Sequence, residues 1–588
     1  MMSSYMVYRE LFKNNRRDHY EVLSVFIEHL INGKKLESIF SDVKVKELLF
    51  NEFGFDIPIS AIKISLQRIS KVNVIKKVSK NEYQIMGVLN KQDEIFDKNI
   101  SELKDLITKI KKEIKSNMTD DEVVQELYNV LIDDEMKSKL DSEVLVFLYK
   151  NKYDKQLQRV LGEFKEGFLL STGVTYNIIS KGYIKDELKV FLSTEILLFL
   201  MGYSGDYKNK MAKDFIKNLK DIDKDNRIRL KFFSDTKKEI ESFFSIAQDV
   251  FLKKRQIDPT KEVVRSILDG SKCIDDIVFK QSDLFYNLNK IYGITEDTYD
   301  RYYSQENVKY NLEGININVD GYDNDIEQSQ KFISNINKLR KSIAKDIFSA
   351  KAIYVTNKGI ALKVDEALRK NIDVSEDIYV FPNCLSLSNI TNIFWCSNPK
   401  TLFTSKPYNV NVVANISLAL QDVIGFKAEE EYENIKKEFE VDNDENKYRQ
   451  RLQLLNDMAS VSTALTDDTS NEKVIFTIEN LSRPTDLFFK EMEQLKLENK
   501  ELKRIIEEKN KTVKDENFVD TIDSKYATMK SVKIKKCFHN IKNCGVRIWG
   551  WIKKHFIVIV CIILGIIYFM YKKGVISSEI IDFINFIK

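Results

Sequence analysis

The chain has 588 residues, 43% hydrophobic and 31% charged, with only 6 Pro and 19 Gly; roughly 150 residues per domain leaves room for about four units, and so few breakers favour long helices and exclude collagen, a Pro-rich tail and a many-turned β-sandwich. The 92 basic and 89 acidic residues leave a net charge of +3, which excludes a globally polybasic nucleic-acid coat but allows a local basic patch. The 6 Cys are too few for a disulfide framework and read as a reducing compartment, and the 4 His leave almost no material for a His-built zinc site.

Residues 1–88 read as helix, helix, helix and then two short strands. The third helix follows FGFDIPIS and carries Ile62, Ile64, Leu66 and Ile69; the strands are VNVIKKV and NEYQIM, rich in β-branched and aromatic residues. Helices that end in a small hairpin are the pattern of a winged helix. Lys63, Arg68, Lys71, Lys76, Lys77 and Lys80 gather on its last helix and wing. They fit phosphate contact with nucleic acid, and equally a solvated charged face or a protein-docking module. Residues 89–185 are polar and helical (KNISELKDLITKIKKEI, DSEVLVFLYKNK) and read as a connector without chemistry.

From 186 to 400 the pattern changes. Short apolar runs (LKVFLST at 188–194, RIRLKFFS at 227–234, AKAIYVTN at 350–357) alternate with the helical patterns NKMAKDFIKNLKDI and SQKFISNINKLRKSIAKDIF. Strands alternating with helices predict an α/β domain, a parallel sheet flanked by helices. Such sheets bind ligands at the carboxyl ends of their strands. That singles out Ser193, Thr194 and Glu195, then Asp235, Thr236 and Glu239, then Thr356 and Asn357.

These segments resemble the PIN-like ribonuclease domains. KVFLSTEILLFLMGY is similar to the family's first strand and helix, where the strand ends in Asp-Thr-Asn. RLKFFSDTKKEIESF is similar to the second strand with its Thr-x-x-Glu, AKAIYVTNKGIAL to the late strand, and TNIFWCSNP to a trailing Leu-Thr…Trp…Asn-Pro segment. With the winged-helix-like front end, the resemblance covers about residues 1–510 and points to the long bacterial branch. It implies carboxylates that converge at the strand ends and hold Mg²⁺ or Mn²⁺, which would activate water and stabilise the phosphate in flight. The residues carried over are Glu239 as the family's second acid, Asp325 or its neighbour Asp323 as a later acid, and Glu195 as a substitute carboxylate. The chain departs from the pattern at the first position, where Ser193 replaces the Asp, and the late strand ends in the neutral Asn357. Ser carries no charge and is a poor ligand for a hard cation.

No P-loop, dinucleotide fingerprint or nucleophile elbow occurs in the sequence. Cys273, Cys384 and Cys396 read as buried small apolar residues. CFHNIKNC, with Cys537, His539 and Cys544, lies outside the usual zinc spacing and is open to palmitoylation.

Residues 401–480 read as exposed, charged helices. Residues 485–512 follow as heptads, with Met492, Asn499 and Ile506 at a and Phe488, Leu495 and Leu502 at d. A coiled-coil homodimer is expected there, or one amphipathic helix on the chain's own body. A basic juxtamembrane linker spans 513–552. The uncharged run FIVIVCIILGIIYFMY within 553–573, bracketed by lysine pairs and aromatic residues, reads as a transmembrane helix. Lys and Arg crowd its upstream side, so the N-terminal bulk is expected in the cytoplasm. Residues 574–588 read as a short amphipathic tail.

The expectation is a single-pass, cytoplasm-facing PIN-like protein with a weakened or lost nuclease site. It would act as an RNA- or protein-binding module, in a toxin or phage-defence setting by resemblance. The alternatives are an active Mg²⁺- or Mn²⁺-dependent endoribonuclease, a hydrolase, and a structural tether without a nucleic-acid role. Only the active case needs a cofactor.

Overall fold

The computed structural model of the chain describes residues 1–478, except 15–17, 88–92, 115–116, 133–139, 177–183, 185, 224, 299–311, 313, 373–378, 398–405, 443, 467–468, 470–471, 473 and 476. The expected coiled coil, juxtamembrane linker, transmembrane helix, tail and CFHNIKNC segment therefore lie outside the described residues. No helix among the described residues is long and apolar enough to cross a membrane.

The first part is α1 (Met2–Asn14), α2 (His19–Asn32), β1 (Ile39–Ser41), α3 (Asp42–Phe53), α4 (Ile59–Lys71) and the hairpin β2 (Ile75–Lys77), β3 (Glu82–Ile85). Asp18 caps α2 by accepting from the amides of Tyr20 and Glu21, and Ser41 caps α3 through the Lys44 amide. Gly54 stops α3 in the left-handed conformation, at φ 79°, which a residue with a Cβ adopts only at a cost. The sequence predicts three helices and two strands here; the structure has four helices and a third strand. Strand β1 is too short to show an alternating pattern, and it exists because β3 pairs with it, Ile39 opposite Gln84 and Ser41 opposite Glu82.

Next come α5 (Asp93–Glu113), α6 (Asp120–Leu131), α7 (Ser142–Lys150) and α8 (Lys155–Thr175). A Thr119–Glu122 capping box opens α6. Helices α1 and α8 approach so closely that a Cβ on Gly167 would stand 1.8 Å from the Tyr5 carbonyl oxygen.

The second layer is a sheet with its covering helices: β4 (Leu188–Leu192), α9 (Thr194–Leu200), α10 (Asp206–Ile222), β5 (Ile228–Phe233), α11 (Ser234–Phe251), α12 (Glu262–Leu268), α13 (Ile274–Lys290), β6 (Thr295–Asp297), α14 (Asp323–Arg340), β7 (Ala352–Val355), α15 (Gly359–Lys370), β8 (Cys384–Leu385) and α16 (Leu387–Ser397). The strands are parallel and ordered β6-β5-β4-β7-β8. Side chains alternate across the sheet. Val190, Leu192, Ile353 and Val355 face a core with α9, α10, α11 and α16. Phe191, Ala352 and Tyr354 face the other, with α14 and α15. Phe191, Phe233 and Phe332 stack there at centroid distances of 4.4 and 4.9 Å. The chain is thus mostly helical, with a parallel five-stranded sheet flanked by helices on both faces.

Three local expectations are corrected. The helix expected to run to residue 348 ends at Arg340, because Lys341 turns left-handed at φ 62°. Buried Arg340 then donates to the carbonyls of Ala352 (2.7 Å), Phe381 (2.9 Å) and Pro382 (2.7 Å), tying the helix end to β7 and to the approach to β8. Strands β6 and β8, two or three residues long, carried no pattern of their own. Cys273, expected to be buried, is exposed at the N-terminus of α13.

A 3-10 turn (Tyr408–Val410) leads into α17 (Val412–Asp442) and α18 (Glu445–Thr463). The charged second half of α17 packs on α18 through Ala428, Ile435, Leu452, Leu455 and Ala459. Its apolar first half, including Ile416, Leu420, Val423 and Ile424, is buried in the same core as α1, α2 and α8.

Candidate functional site

The chain runs from β4 outward through β5 to β6, then returns to the other side of β4 for β7 and β8. The carboxyl ends of β4 and β7 therefore flank the point where the winding reverses, which is where open α/β sheets leave a crevice. The residues singled out after these strands meet there.

Ser193 continues the ladder, donating its amide to the Val355 carbonyl at 3.0 Å, and then serves as N-cap of α9. Glu195 stands in the first turn of α9, and its Oε1 accepts from Thr356 Oγ1 and from the Asn357 amide at 2.9 Å. Thr356 Oγ1 also accepts the Lys358 amide at 3.1 Å. Asn357 Oδ1 accepts the Leu387 amide at 3.0 Å, so β7, α9 and α16 are locked together. From α11, Glu239 Oε2 accepts Thr194 Oγ1 at 2.5 Å, and its Oε1 meets Lys358 Nζ at 3.1 Å. Half-burial alone would lower the Lys358 ammonium, but the charges of Glu239, Glu195 and Asp325 and the Glu239 hydrogen bond hold it above its usual range. Two buried oxygens of this cluster, Ser193 Oγ and Glu195 Oε2, have no hydrogen-bond partner.

The structure thus brings Glu195 and Glu239 to one crevice with Thr194, Thr356 and Asn357. Asp325 stands exposed on the first turn of α14 and acts on Lys358 through its charge. Asp235 turns away and pairs with Lys331 of α14 at 2.5 Å. Among the described residues no group of three or more His, Cys, Asp or Glu side chains is arranged to hold a metal ion. Sequence reasoning stopped one residue short, at Asn357. The missed Lys358 had a readable signal, being the next residue after the β7 end.

Two of the basic residues singled out in the N-terminal part are committed to acids. Lys63 lies 3.5 Å from buried Asp42. Arg68 bonds Asp18 at 2.8 Å and Glu21 at 3.3 Å and lies over the Tyr20 ring. Lys71, Lys76 and Lys77 are exposed.

Beside the strand ends the crevice opens into a cavity of about 280 Å³, walled by α6, α8, α9, α10, α16 and α17. Glu195, Asn357 and Lys358 line one side, and Lys165, Lys208 and Asn409 line others. A second hollow, of about 420 Å³, lies at the amino end of β4, lined by Asp186, Lys189, Lys338 and Lys351. No protein-family model matches the chain, and no curated protein or solved structure matches it.

Proposed function

We propose that residues 186–400 are a PIN-like domain in which binding of RNA has replaced its hydrolysis, carried on a chain with a winged-helix-like front end and a C-terminal membrane anchor. The observation that carries this reading is the position of Lys358. A hydrolytic site needs the strand-end carboxylates free for a divalent ion. Here the ammonium of Lys358 sits against Glu239, in the field of Glu195 and Asp325. These residues do not fit Mg²⁺ or Mn²⁺: Lys358 already occupies Glu239 Oε1, Thr356 and Asn357 take Glu195 Oε1, and the first acid of the pattern is Ser193. An ammonium has three donors, and Glu239 engages one, so Lys358 retains donors for a phosphate oxygen.

The sequence order of α2, β1, α3, α4, β2 and β3 supports the winged-helix-like reading. Its nucleic-acid contacts narrow to Lys71, Lys76, Lys77 and Lys80, because acids partner Lys63 and Arg68. The uncharged run within 553–573 supports the anchor.

The test uses the full-length chain in detergent, incubated with labelled single-stranded RNA and Mn²⁺. The expected result is a gel shift without cleavage, weakened in Lys358→Ala. Metal-dependent cleavage that disappears in Glu239→Ala would establish an active ribonuclease instead. Neither binding nor cleavage would turn the reading to a structural or protein-docking tether.

A further inference from the structure

Helix α13 buries Ile277, Leu284 and Leu288 in the sheet core. Its opposite face runs through Asp275, Phe279, Ser282, Tyr286 and Lys290, about one position per turn and all exposed. Phe279 is 71% exposed and Tyr286 61%, with Val278 beside them at 45%. A helix that covers a core normally turns polar and charged residues outward, so aromatic rings at the centre of its outer face mark a contact surface. The stripe is self-complementary. A two-fold axis crossing α13 between Ser282 and Asp283 puts Phe279 against the partner's Tyr286 and Asp275 against the partner's Lys290. The two helices then run antiparallel, so their macrodipoles also attract. Neither Asp275 nor Lys290 forms an ion pair among the described residues, so both charges are available to a second chain. Asp283, at the flank of the stripe, is turned along its own helix by Asn287, whose Nδ2 donates to its Oδ2 at 2.7 Å.

We propose that this face of α13 binds a second copy of the chain, in an isologous antiparallel pair of α13 helices. Two Phe and two Tyr rings at about 150–250 Å² each bury about 600–1,000 Å² between the copies. That is less than the roughly 1,200 Å² at which stable interfaces begin, so the pair forms and parts readily. It needs neither the RNA reading nor the heptads of 485–512, and a dimer joined through those heptads alone would leave Phe279 and Tyr286 uncovered.

The experiment treats full-length Ser282→Cys in detergent with a short bis-maleimide and locates the linked peptides by mass spectrometry. The two copies of position 282 lie about 1.5 Å apart along the helices in this register, so a 282–282 link is expected. The native, exposed Cys273 is an internal control: the same register holds its two copies about 28 Å apart, out of reach. Phe279→Asp in the Ser282→Cys chain should cut the 282–282 link about tenfold. Asp275→Lys and Lys290→Asp should each cut it about threefold, and the two together should restore it. Both charges also suit the ends of their own helix, so the double swap is the deciding variant. All the substituted residues are exposed, and each variant should keep a cooperative thermal melt. No 282–282 link would overturn the proposal, even if light scattering shows a dimer, since that dimer would be joined elsewhere. A 282–282 link undiminished by Phe279→Asp would be random collision and would overturn it too. A Cys273–Cys273 link in the unsubstituted chain would show a parallel pair, and failure of the double swap to restore the link would remove the charge register; either result sinks the antiparallel pair.

Discussion

Lys358 joins the start of α15 to Glu239 of α11 at the strand ends. Its contact with Glu239 is partly solvated, so Lys358→Met is expected to lower stability by only about 1 kcal/mol in thermal melts. The folded ammonium titrates above its ordinary value. Its contribution is therefore complete below the unfolded lysine value and is lost as pH rises through the folded one. The gap between wild type and variant should be constant near neutrality and close only in strongly alkaline buffer. Glu166 is the opposite case. It is 6% exposed and receives Arg9 at 2.7 Å, Lys406 at 3.0 Å and Lys13 at 3.2 Å. Burial alone would raise its carboxyl, but the hydrogen bonds and charges of Arg9 and Lys406 bring it from 4.5 down to about 2. That stabilisation is present above the unfolded value and disappears as pH falls toward 2. Glu166→Gln leaves three cations facing a neutral amide and should cost about 3 kcal/mol. Most of the deficit should vanish in melts at low pH; a deficit unchanged there would show that packing, not charge, is what the substitution disturbs.

Two glycines in helices separate close approach from mere flexibility. Gly167 lets α8 lie against the backbone of α1, and no rotamer can relieve a clash with the Tyr5 carbonyl. Gly167→Ala is expected to cost about 3 kcal/mol or more, read as a lowered midpoint in denaturant. Gly425 stands exposed on α17 with nothing within 4 Å of its missing Cβ. Gly425→Ala should raise stability by about 0.5–1 kcal/mol through helix propensity alone. The same contrast runs along α17. Its apolar first half is inserted among the N-terminal helices, and its charged second half needs only α18.

At the scale of the molecule, one hydrophobic cluster gathers residues from Met2 to Ile478, so early and late segments are each other's interior. A chain cut at residue 400 would lack Val412, Ile416, Leu420, Val423 and Ile424 and expose the surfaces they cover. It is expected to be digested by protease at concentrations that spare the full-length chain; equal resistance would show that the N-terminal helices close their core without α17. The helix-rich composition, β4, β5 and β7, and the meeting of Glu195 and Glu239 were all legible in the sequence. Short, near-continuous apolar runs mark strands buried on both faces, and residues just past such strands converge once the sheet is parallel. What the sequence determined by itself was local: which segments alternate, which turn as helices, and which polar residues follow a strand. Only the tertiary structure decided that β1, β6 and β8 exist, since strands of two or three residues are defined by their neighbours' hydrogen bonds. It alone put Lys358 on Glu239, 119 positions away in the chain, and set Asn409 beside the cavity that Glu195 lines. Such pairings depend on the packing of segments far apart along the chain, and no local pattern records them.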